Sequence, residues 1–467
     1  MRQARHPHGG GGHGRDMVSG GPRKGPAGTG TPRDLRSRGC HVELAGVESG
    51  RCNEGQPAPE RLAVRTIPVA DPGRLVSRLP EPAALAWIRH GEGLVGWGEA
   101  ARITLPAGAD RFTASEKWLR ELFDRATIED PVALPGSGPV AFGSFTFDPT
   151  CDGSVLVVPS AVLGRRSGRA WLTTIGDPAD SLRPAGPLIP PAEVRWHDGS
   201  LPAPEWEQAV ATAVGRIRAG TLGKVVLARD LYATASEDID VRVLLQRLAD
   251  RYPDCYTFAC AGLVGATPEL LIRRQDDDIS SLVLAGTIGR GRDAAEDEAL
   301  GASLLSSAKE TEEHEYAAAG VRDTLAPLCD TLTVDSRPSL LRLANVQHLA
   351  TAISGRLAQP EQGTDHSVLS LVAALHPTGA VCGTPTEVAM ELIRELEGMD
   401  RGRYAGPVGW VDARGNGEWG IALRCAEVDG PRARLFAGGG IVSGSDPVAE
   451  LAETQAKFRP MQFALEA

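Results

Sequence analysis

Short apolar runs broken by glycine and proline recur along the chain from about Leu62, and this pattern limits the possible folds more than any other feature. The 467 residues include 55 Gly and 34 Pro. Runs of about 4–8 apolar, β-branched or aromatic residues between such turn residues are typical of strands. Segments such as VAFGSFTF, GSVLVVPSAVLG and KVVLARDLYATA fit this description. The pattern therefore predicts antiparallel sheet.

The N-terminal segment, residues 1–60, has a different composition. It is rich in Gly, Pro and Arg and poor in apolar residues, so it cannot bury enough apolar surface to offset the entropy lost on ordering. It also lacks the continuous apolar stretch of a secretory signal. We predict a disordered extension at 1–60 and a single catalytic domain at 61–467, with the Pro-rich segment 184–205 as a surface loop within that domain.

Charge and cysteine content exclude several classes of protein. The formal net charge is −11 and the pI is near 5.5, which argues against a nucleic-acid or membrane-surface partner. An anionic substrate remains compatible, because its binding needs only a few well-placed cations. No apolar run is long enough to span a bilayer. The 8 cysteines show neither Cys-x-x-Cys nor zinc-type spacing, which favours reduced thiols and a cytoplasmic location.

Helix and turn signals are clearest in the second half. We predict one long helix from residue 294 to about 328 and another at 367–375. The spacing of Thr384 and Glu387 predicts a capping box. The Asn416-Gly417 dipeptide predicts a hairpin turn. The segment AGGGI is predicted as a glycine turn before the last helix, for which Asp446 would be the cap.

Two predicted helices each carry a pair of glutamates at i, i+3: Glu310 with Glu313, and Glu450 with Glu453. This spacing places both members of a pair on one helix face. Two such pairs brought together would form an oxygen-rich site suited to Mg²⁺. On spacing alone, however, solvated helix faces are the better interpretation, and Glu453 with Lys457 at i, i+4 is typical of a surface ion pair.

Two further positions admit a catalytic interpretation. Lys224 begins an apolar strand, where a lysine usually extends its amine to solvent but could act as a general base in a desolvated site. Glu269 follows Pro268 at a strand turn, where a buried acid could keep its proton. For both residues the structural and the catalytic interpretation stay open at this point.

Glycines 438–440 could bring backbone N–H groups close to an anion. The pattern matches neither a Walker A loop nor a dinucleotide-binding fingerprint. Taken alone, it does not establish a site.

The motifs occur together in the order found in the chorismate-utilising enzymes, which include isochorismate synthases, salicylate synthases and anthranilate synthase component I. The matching segments lie within residues 205–460 and are KVVLAR, GATPELLI, LAGT, SSAKETEEHE, NVQHLAT, HPTGAVCGTP, GWVDARGNGEWGIALRCAE, LFAGGGIVSGSDP and ELAETQAKF. The chain resembles this family. The resemblance implies a single α+β domain, with large antiparallel sheets packed together, helices outside and a deep central site.

The resemblance also implies a metal site. By their position in the motifs, Glu313 and Glu453 resemble the carboxylates that hold Mg²⁺, with Glu310 and Glu450 as supporting or water-mediated ligands. The metal would bind the ring carboxylate of chorismate, and no organic cofactor is implied.

Other positions resemble the groups that bind the rest of the substrate. The enolpyruvyl carboxylate would be bound by Arg424 and Lys457 together with the backbone amides of Gly438, Gly439 and Gly440. The residues that would line the ring site are Gly286, Thr287 and His348. The pocket wall would be formed by Tyr404, Leu423 and Phe436.

Two features indicate the branch of the family that uses water. Nitrogen-loading members carry a P-I-K-G-T-like segment where this chain has Leu284-Ala285-Gly286-Thr287, and water-using members carry a lysine where Lys224 stands. The resemblance implies that Lys224 activates water for attack at C2 of the ring and that Glu269 protonates the departing C4 hydroxyl. The expected function is therefore that of an isochorismate synthase, with a menaquinone route suggested by the LAWIRHGEGLVGWGEAAR stretch.

Two alternatives remain open from the sequence. A salicylate synthase would use the same residues and then eliminate pyruvate, and Tyr404, where some relatives have Phe, belongs to the pocket that decides between these outcomes. A non-catalytic binding subunit of the same fold is the second alternative, but Lys224, Glu269, Glu313 and Glu453 are all present. Expected partners are chorismate alone, with no nucleic acid, no membrane and no glutamine amidotransferase, in a monomer or weak homo-oligomer.

Overall fold

A computed structural model describes residues 62–176, 186–358 and 366–466. The described residues belong to one compact unit. The prediction of a disordered extension at 1–60 lies outside the described residues. Within those residues, none of the helices is both long and apolar enough to cross a membrane.

Short strands dominate the described part of the chain, as predicted from the apolar runs separated by glycine and proline. In chain order they are β1 (Ala63–Val69), β2 (Leu85–Arg89), β3 (Glu92–Trp97), β4 (Ala101–Leu105), β5 (Thr127–Glu129), β6 (Val140–Ser144), β7 (Ser154–Val158), β8 (Ala161–Arg166), β9 (Arg169–Ile175), β10 (Arg195–Asp198), β11 (Lys224–Thr234), β12 (Tyr256–Cys260), β13 (Leu263–Thr267), β14 (Leu270–Gln275), β15 (Asp278–Gly289), β16 (Cys329–Val334), β17 (Ser339–Arg342), β18 (Val346–Leu357), β19 (Gly383–Thr384), β20 (Pro407–Asp412), β21 (Gly417–Ile421), β22 (Cys425–Asp429) and β23 (Arg432–Ile441).

These strands form two large sheets in the described ranges. One has 13 strands in the order β10-β11-β23-β22-β13-β12-β2-β3-β8-β9-β1-β5, with β19 paired to β11. The other has 10 strands in the order β16-β18-β15-β14-β21-β20-β6-β7-β4, with β17 paired to β18. The pairing of β1 with β5 is parallel, whereas the strands that surround the site pair antiparallel. The α+β architecture with large antiparallel sheets is therefore confirmed.

Helices cover the outer faces of the sheets. They are α1 (Arg111–Asp124), α2 (Ala203–Arg218), α3 (Val241–Arg251), α4 (Ala294–Ser306), α5 (Ala308–Leu325), α6 (Val368–Leu375), α7 (Thr386–Leu396) and α8 (Pro447–Glu466), with 3-10 turns at Leu75–Arg78 and Ala326–Leu328. Helix α5 packs against β15 and α8 packs against β23. The two helices that carry the glutamate pairs are thereby fixed to the two sheets.

The inner faces of the sheets meet in one apolar core. Strands β6 and β21 are buried along their whole length, because both of their faces are covered. The sheets approach so closely that a Cβ atom on Gly420 would lie 2.9 Å from the Trp87 ring. The Trp87 indole N–H donates to Glu418 Oε2 across this contact at 2.9 Å, which satisfies the buried polar groups.

The long helix predicted from residue 294 to about 328 is wrong in one respect: it breaks at Ser307. Ser307 is extended (φ −74°, ψ 117°) and its side chain accepts a hydrogen bond from Glu310 N. Ser307 is therefore the N-cap of a second helix, α5. The Ser-x-x-Glu spacing of Ser307 and Glu310 is itself a capping signature that marks this break.

The predicted capping box of Thr384 and Glu387 is also wrong. Pro385 stands at the N-cap of α7, and no side chain caps that helix. Thr384 lies instead in β19, where it pairs with Lys224, and its carbonyl accepts from Gly223 N at 2.8 Å. The backbone hydrogen bonds of the sheet have replaced the local cap.

Two turn positions and one loop also differ from prediction. The β20–β21 hairpin forms, but its left-handed residue is Gly415 (φ 77°), whereas Gly417 already belongs to β21. Glycines 438–440 lie within β23, and the turn follows them at residues 442–445. The segment 184–205, predicted as a loop, contains β10, which pairs with the edge of β11. The predicted cap is confirmed, since Asp446 Oδ1 accepts from Ala449 N at 2.9 Å.

Candidate active site

A cavity lies where β11, β15 and β23 meet α5 and α8. Most of the residues that sequence motifs assign to the substrate lie on its surface. These are Glu269, Gly286, Thr287, Glu313, His348, Tyr404, Leu423, Arg424, Gly438, Gly439, Gly440 and Lys457. The predicted residues Lys224, Glu310, Glu450, Glu453 and Phe436 surround this cavity without being among the residues that line it.

The two glutamate pairs do not coat solvated helix faces. The side chain of Glu450 is 2% exposed and that of Glu313 is 10% exposed. Glycines allow the close approach of these carboxylates to the sheets. A Cβ atom on Gly440 would lie 1.9 Å from Glu313 Oε1, and one on Gly286 would lie 3.1 Å from Glu310 Oε2. The tertiary structure therefore brings the two pairs toward one site.

Gly286 also shapes the strand that faces α5. The register of β15 against β18 shifts between Ala285 and Thr287, and Gly286 is left-handed at φ 78°. This is a β-bulge, which re-aims the residues beside it. The bulge lets Thr287 N donate to Glu310 Oε2 at 3.1 Å. The LAGT motif thus connects the cavity to one glutamate pair.

Three lysines accompany the four carboxylates. Lys224 Nζ lies 3.2 Å from Glu313 Oε1. Lys309 Nζ lies 2.7 Å from Glu450 Oε1 and 3.1 Å from Glu310 Oε1. Lys457 forms an ion pair with Glu453 and donates to Gly438 O at 2.8 Å.

The Glu453–Lys457 pair corrects the interpretation of this spacing as a surface ion pair. The side chains of Lys457 and Glu453 are only 10% and 19% exposed. The packing of α8 against β23 has brought this i, i+4 pair into the site. Surface pairs and buried pairs share the same spacing, so spacing could not distinguish them.

Burial acts against the charge of two of the four carboxylates despite these lysines. Burial and the neighbouring Glu453 raise the pKa of Glu450 to about 7, although Lys309 opposes this shift. Burial also raises the pKa of Glu310, assisted by Glu313 and Glu453 and opposed by Lys309. Glu450 Oε2 is buried and has no hydrogen-bond partner within the described residues. A hard divalent cation would offset the cost of burying these charges, and carboxylate oxygens are among the ligands that Mg²⁺ takes.

The described ranges contain no ready-made metal cage. Within residues 62–176, 186–358 and 366–466, no group of three or more His, Cys, Asp or Glu side chains is arranged so that it could hold a metal ion. The ammonium groups of Lys309 and Lys457 instead contact the carboxylates. The magnesium prediction is therefore untested and stays a prediction.

Lys224 is the most deeply buried of the predicted catalytic residues. It is 0% exposed, and its Cε lies 3.0 Å from the position of a Cβ atom on Gly440, which lines the cavity. The amine lies near Glu313 without hydrogen-bonding geometry, so in the described part of the chain it has no hydrogen-bond partner. This is not a lysine that extends to solvent. A buried amine whose hydrogen bonds are not made costs free energy, and such groups often belong to a functional site.

Glu269 combines burial with proximity to cations. It is 4% exposed and lines the cavity. Burial raises the pKa of Glu269 to about 8, against the opposing effects of Lys224 and Arg424. At neutral pH this carboxyl group is therefore mostly protonated and can act as an acid.

His348 positions Arg424. Arg424 Nη2 lies 3.2 Å from His348 Nε2, and the guanidinium can only donate, so Nε2 is the acceptor. The Nδ1–H then donates toward Thr287 Oγ1 (3.1 Å) or Gly286 O (3.3 Å). Burial, with Arg424 and Lys457, lowers the pKa of His348 well below its usual value. The imidazole is therefore neutral and holds the buried Arg424 in place.

One wall of the cavity is aromatic. Tyr404 lines it and stacks on Phe436, with ring centroids 5.0 Å apart and an interplanar angle of 7°. Phe436 is thus behind the wall rather than in it, and the guanidinium of Arg434 covers its other side at 4.7 Å. Burial raises the pKa of Tyr404, so the wall carries a neutral hydroxyl.

Three residues of this region were not identified from the sequence. Lys309 stands beside Glu310 in the acidic motif, and that adjacency was an available signal. His314 is buried between Thr351 Oγ1 (2.7 Å) and Ala285 O (3.3 Å), so it supports the LAGT segment. Arg401 lines the cavity, and its i, i+4 spacing to Glu397 was visible but ordinary.

Arg401 and Glu397 form a buried ion pair that fixes the site to the sheet. Arg401 Nε donates to Glu397 Oε2 at 2.9 Å and its Nη2 donates to Val226 O at 2.8 Å. Glu397 Oε1 accepts from Ala228 N at 2.7 Å. Both side chains are at most 2% exposed. Loss of either partner would leave an uncompensated buried charge.

We expect Arg401→Met to lower the free energy of unfolding by about 3–5 kcal/mol. Urea unfolding followed by circular dichroism measures this loss. The control is Arg216→Met, which breaks the half-exposed pair with Glu395 and should cost less than about 1 kcal/mol. Equal losses of unfolding free energy in the two variants would show that the buried Arg401 pair contributes no more to stability than the half-exposed pair.

A cavity lined by a buried acid and two cations, with a buried amine and paired carboxylates around it, has the chemistry of an enzyme site. The sequence profile of the chorismate binding enzyme family matches residues 188–466, which is more than half of the chain. The chain therefore belongs to the chorismate binding enzyme family. The resemblance inferred from the motifs, and the prediction of an enzyme, are confirmed.

Individual relatives agree with this assignment. Isochorismate synthase DhbC of Bacillus subtilis is 40% identical over 333 residues, which are 64% of this chain and 82% of the relative. The putative 2,3-dihydroxybenzoate-specific isochorismate synthase DhbC from Bacillus anthracis superimposes with a TM-score of 0.70 at 32% identity, over 84% of this chain and 98% of its own. MenF, the menaquinone-specific isochorismate synthase of Escherichia coli, superimposes with a TM-score of 0.72 at 25% identity, over 89% of this chain and 97% of its own.

Proposed function

We propose that the chain is an isochorismate synthase, which converts chorismate to isochorismate by adding water at C2 and losing the C4 hydroxyl. The observation that carries the proposal is a buried acid in the cavity wall, Glu269, with the buried amine of Lys224 close enough to act on its charge. The amine has no hydrogen-bond partner among the described residues, and the acid is a carboxyl group with a pKa of about 8. A base and an acid poised in this way suit a substitution in which one hydroxyl enters and another leaves.

Cations and amides of the cavity hold the substrate. Arg424 and Lys457 bind the enolpyruvyl carboxylate together with the backbone of Gly438, Gly439 and Gly440. His348 keeps Arg424 oriented, and Thr287 and Gly286 lie against the ring. These contacts fix the ring between base and acid, which lowers the entropic part of the barrier.

The proton transfers then follow from the two buried groups. Lys224 takes a proton from water as the water oxygen bonds to C2. The ring double bonds shift, the C4–O bond breaks, and Glu269 gives its proton to the departing hydroxyl, which leaves as water. Ala285, a small residue on the cavity wall, leaves space for the attacking water.

We also propose that the enzyme requires Mg²⁺, held by Glu313 and Glu453 with Glu310 and Glu450 around them. When bound, the metal would neutralise and polarise the ring carboxylate. The buried Glu450 Oε2 supports this assignment, because it lies beside the cavity residue Gly439 and has no hydrogen-bond donor among the described residues.

Product analysis tests the proposed function. Purified enzyme with chorismate and Mg²⁺ should release isochorismate, seen by chromatography of the early reaction, while a coupled lactate dehydrogenase assay detects no pyruvate. Exhaustive EDTA treatment should abolish turnover, and added Mg²⁺ should restore it. Stoichiometric pyruvate with salicylate would identify a salicylate synthase instead. Anthranilate formed from ammonia, or no turnover of chorismate at all, would contradict the proposal.

The pathway is a finer proposal, namely menaquinone biosynthesis. It is supported by the likeness to the menaquinone-specific enzyme of Escherichia coli, while the likeness to the 2,3-dihydroxybenzoate-specific enzyme favours a siderophore route. Deletion of the gene in its host should remove menaquinone and leave siderophore production intact. The reverse result would assign the enzyme to the siderophore route.

A further inference from the structure

Lys309 occupies a position between the two helices that carry the glutamate pairs. It is the second residue of α5, next to Glu310. Its side chain is 28% exposed and reaches across to Glu450 in the first turn of α8. Lys309 has no role in the proposed mechanism, and the sequence analysis did not assign a role to this residue.

Lys309 contacts one oxygen of each of these two carboxylates. Its Nζ lies 2.7 Å from Glu450 Oε1 and 3.1 Å from Glu310 Oε1. Glu310 Oε2 accepts from Thr287 N at 3.1 Å. Glu450 Oε2 remains buried without a hydrogen-bond partner within the described residues. A Cβ atom on the cavity residue Gly439 would lie 3.1 Å from this oxygen, so Oε2 is directed toward the cavity wall.

Electrostatics explains why a cation is needed at this point. Glu310 and Glu450 come from different helices, and two buried carboxylates repel each other in a medium of low dielectric constant. The ammonium group of Lys309 lies within 3.1 Å of a carboxylate oxygen from each of the two helices. The lysine therefore joins α5 to α8.

We infer that Lys309 is a positioning residue for the metal site: it fixes Glu310 and Glu450 across the two helices so that Glu450 Oε2 is presented to Mg²⁺. This inference rests on the proposed magnesium requirement. It assigns to Lys309 a role in metal affinity and none in proton transfer. The opposite role, a lysine that competes with the metal for the carboxylates, predicts the opposite change in affinity.

Titration of the metal alone into the full-length protein tests the inference. The dissociation constant of Mg²⁺ is measured by calorimetry for the wild type, Lys309→Met and Lys309→Arg. Residues that orient metal ligands typically contribute about 10- to 100-fold in metal affinity, so Lys309→Met should weaken Mg²⁺ binding by about that factor. Lys309→Arg keeps the charge and should bind more tightly than Lys309→Met. Lys117→Met removes one charge from an exposed position on α1 and should leave the affinity unchanged.

A second readout separates positioning from a general loss of structure. The turnover of Lys309→Met should recover when the Mg²⁺ concentration is raised, because only occupancy of the site is impaired. A structural defect would not be rescued by metal. If Lys309→Met does not fold, Lys309→Arg serves for the same test. The measurement is then the Mg²⁺ concentration that gives half of the maximal rate, and this concentration should be higher than in the wild type.

The possible failures are distinguishable. If the wild type binds no Mg²⁺, the proposed metal requirement is wrong and this inference falls with it. If the wild type binds Mg²⁺ and Lys309→Met binds it equally well or more tightly, only the positioning role is wrong.

Discussion

Glu269→Gln is expected to lower kcat by about 10²- to 10⁴-fold, the usual contribution of a general acid. Gln has nearly the same shape as a protonated Glu, so the cavity should keep its structure while the departing C4 hydroxyl loses its proton donor. The measurement is steady-state turnover of chorismate at saturating Mg²⁺. Unchanged substrate binding with reduced kcat is the expected combination. A fall of only twofold would show that Glu269 is a structural buried acid.

The pH dependence of the wild type provides a second check on Glu269. Its pKa is raised to about 8 by burial, so the proton that catalysis needs is present below pH 8 and is lost above it. We therefore expect kcat to fall as the pH rises through about 8, and the residual activity of Glu269→Gln to lack this decline. The same raised pKa means that the contribution of this group to stability is greatest in acid and declines as the pH rises toward 8.

Lys224→Ala is expected to have an effect of similar size, about 10²- to 10⁴-fold on kcat. The reason is that Lys224 is the fully buried amine at the start of β11, so the attacking water loses its base. Lys117→Ala, on the exposed face of α1, is the matched control and should retain full activity. Circular dichroism should show the same fold for both variants. If Lys224→Ala kept more than half of the wild-type kcat, another group would have to activate the water.

The sequence could predict which residues share a helix face, but it could not predict what that face meets. The i, i+3 pairs Glu310–Glu313 and Glu450–Glu453 were visible, yet solvated helices have the same spacing. Only the packing of α5 on β15 and of α8 on β23 makes them a buried cluster. The family motifs supplied this information indirectly, because members of a family share a tertiary arrangement. Local periodicity carries no information about tertiary contacts.

Local signals failed where the sheet competes with them. Thr384 has the side chain and the spacing of a helix cap, but its backbone pairs with Lys224 in β19. The glycines of AGGGI resemble a turn, but they lie in β23, where the absence of side chains admits the carboxylates of α5 and α8. The role of Arg424 was predicted from its motif, whereas its left-handed backbone (φ 50°) and its contact with His348 were not.

The central claim is that the C2 hydroxyl of the product comes from water. Turnover of chorismate in H₂¹⁸O, followed by mass spectrometry of isochorismate at early times, tests it most directly. The proposed roles of Lys224 and Glu269 predict that each molecule of isochorismate carries one ¹⁸O atom at C2. Isochorismate formed without ¹⁸O would mean that the C4 hydroxyl migrates within the substrate, and it would contradict the account.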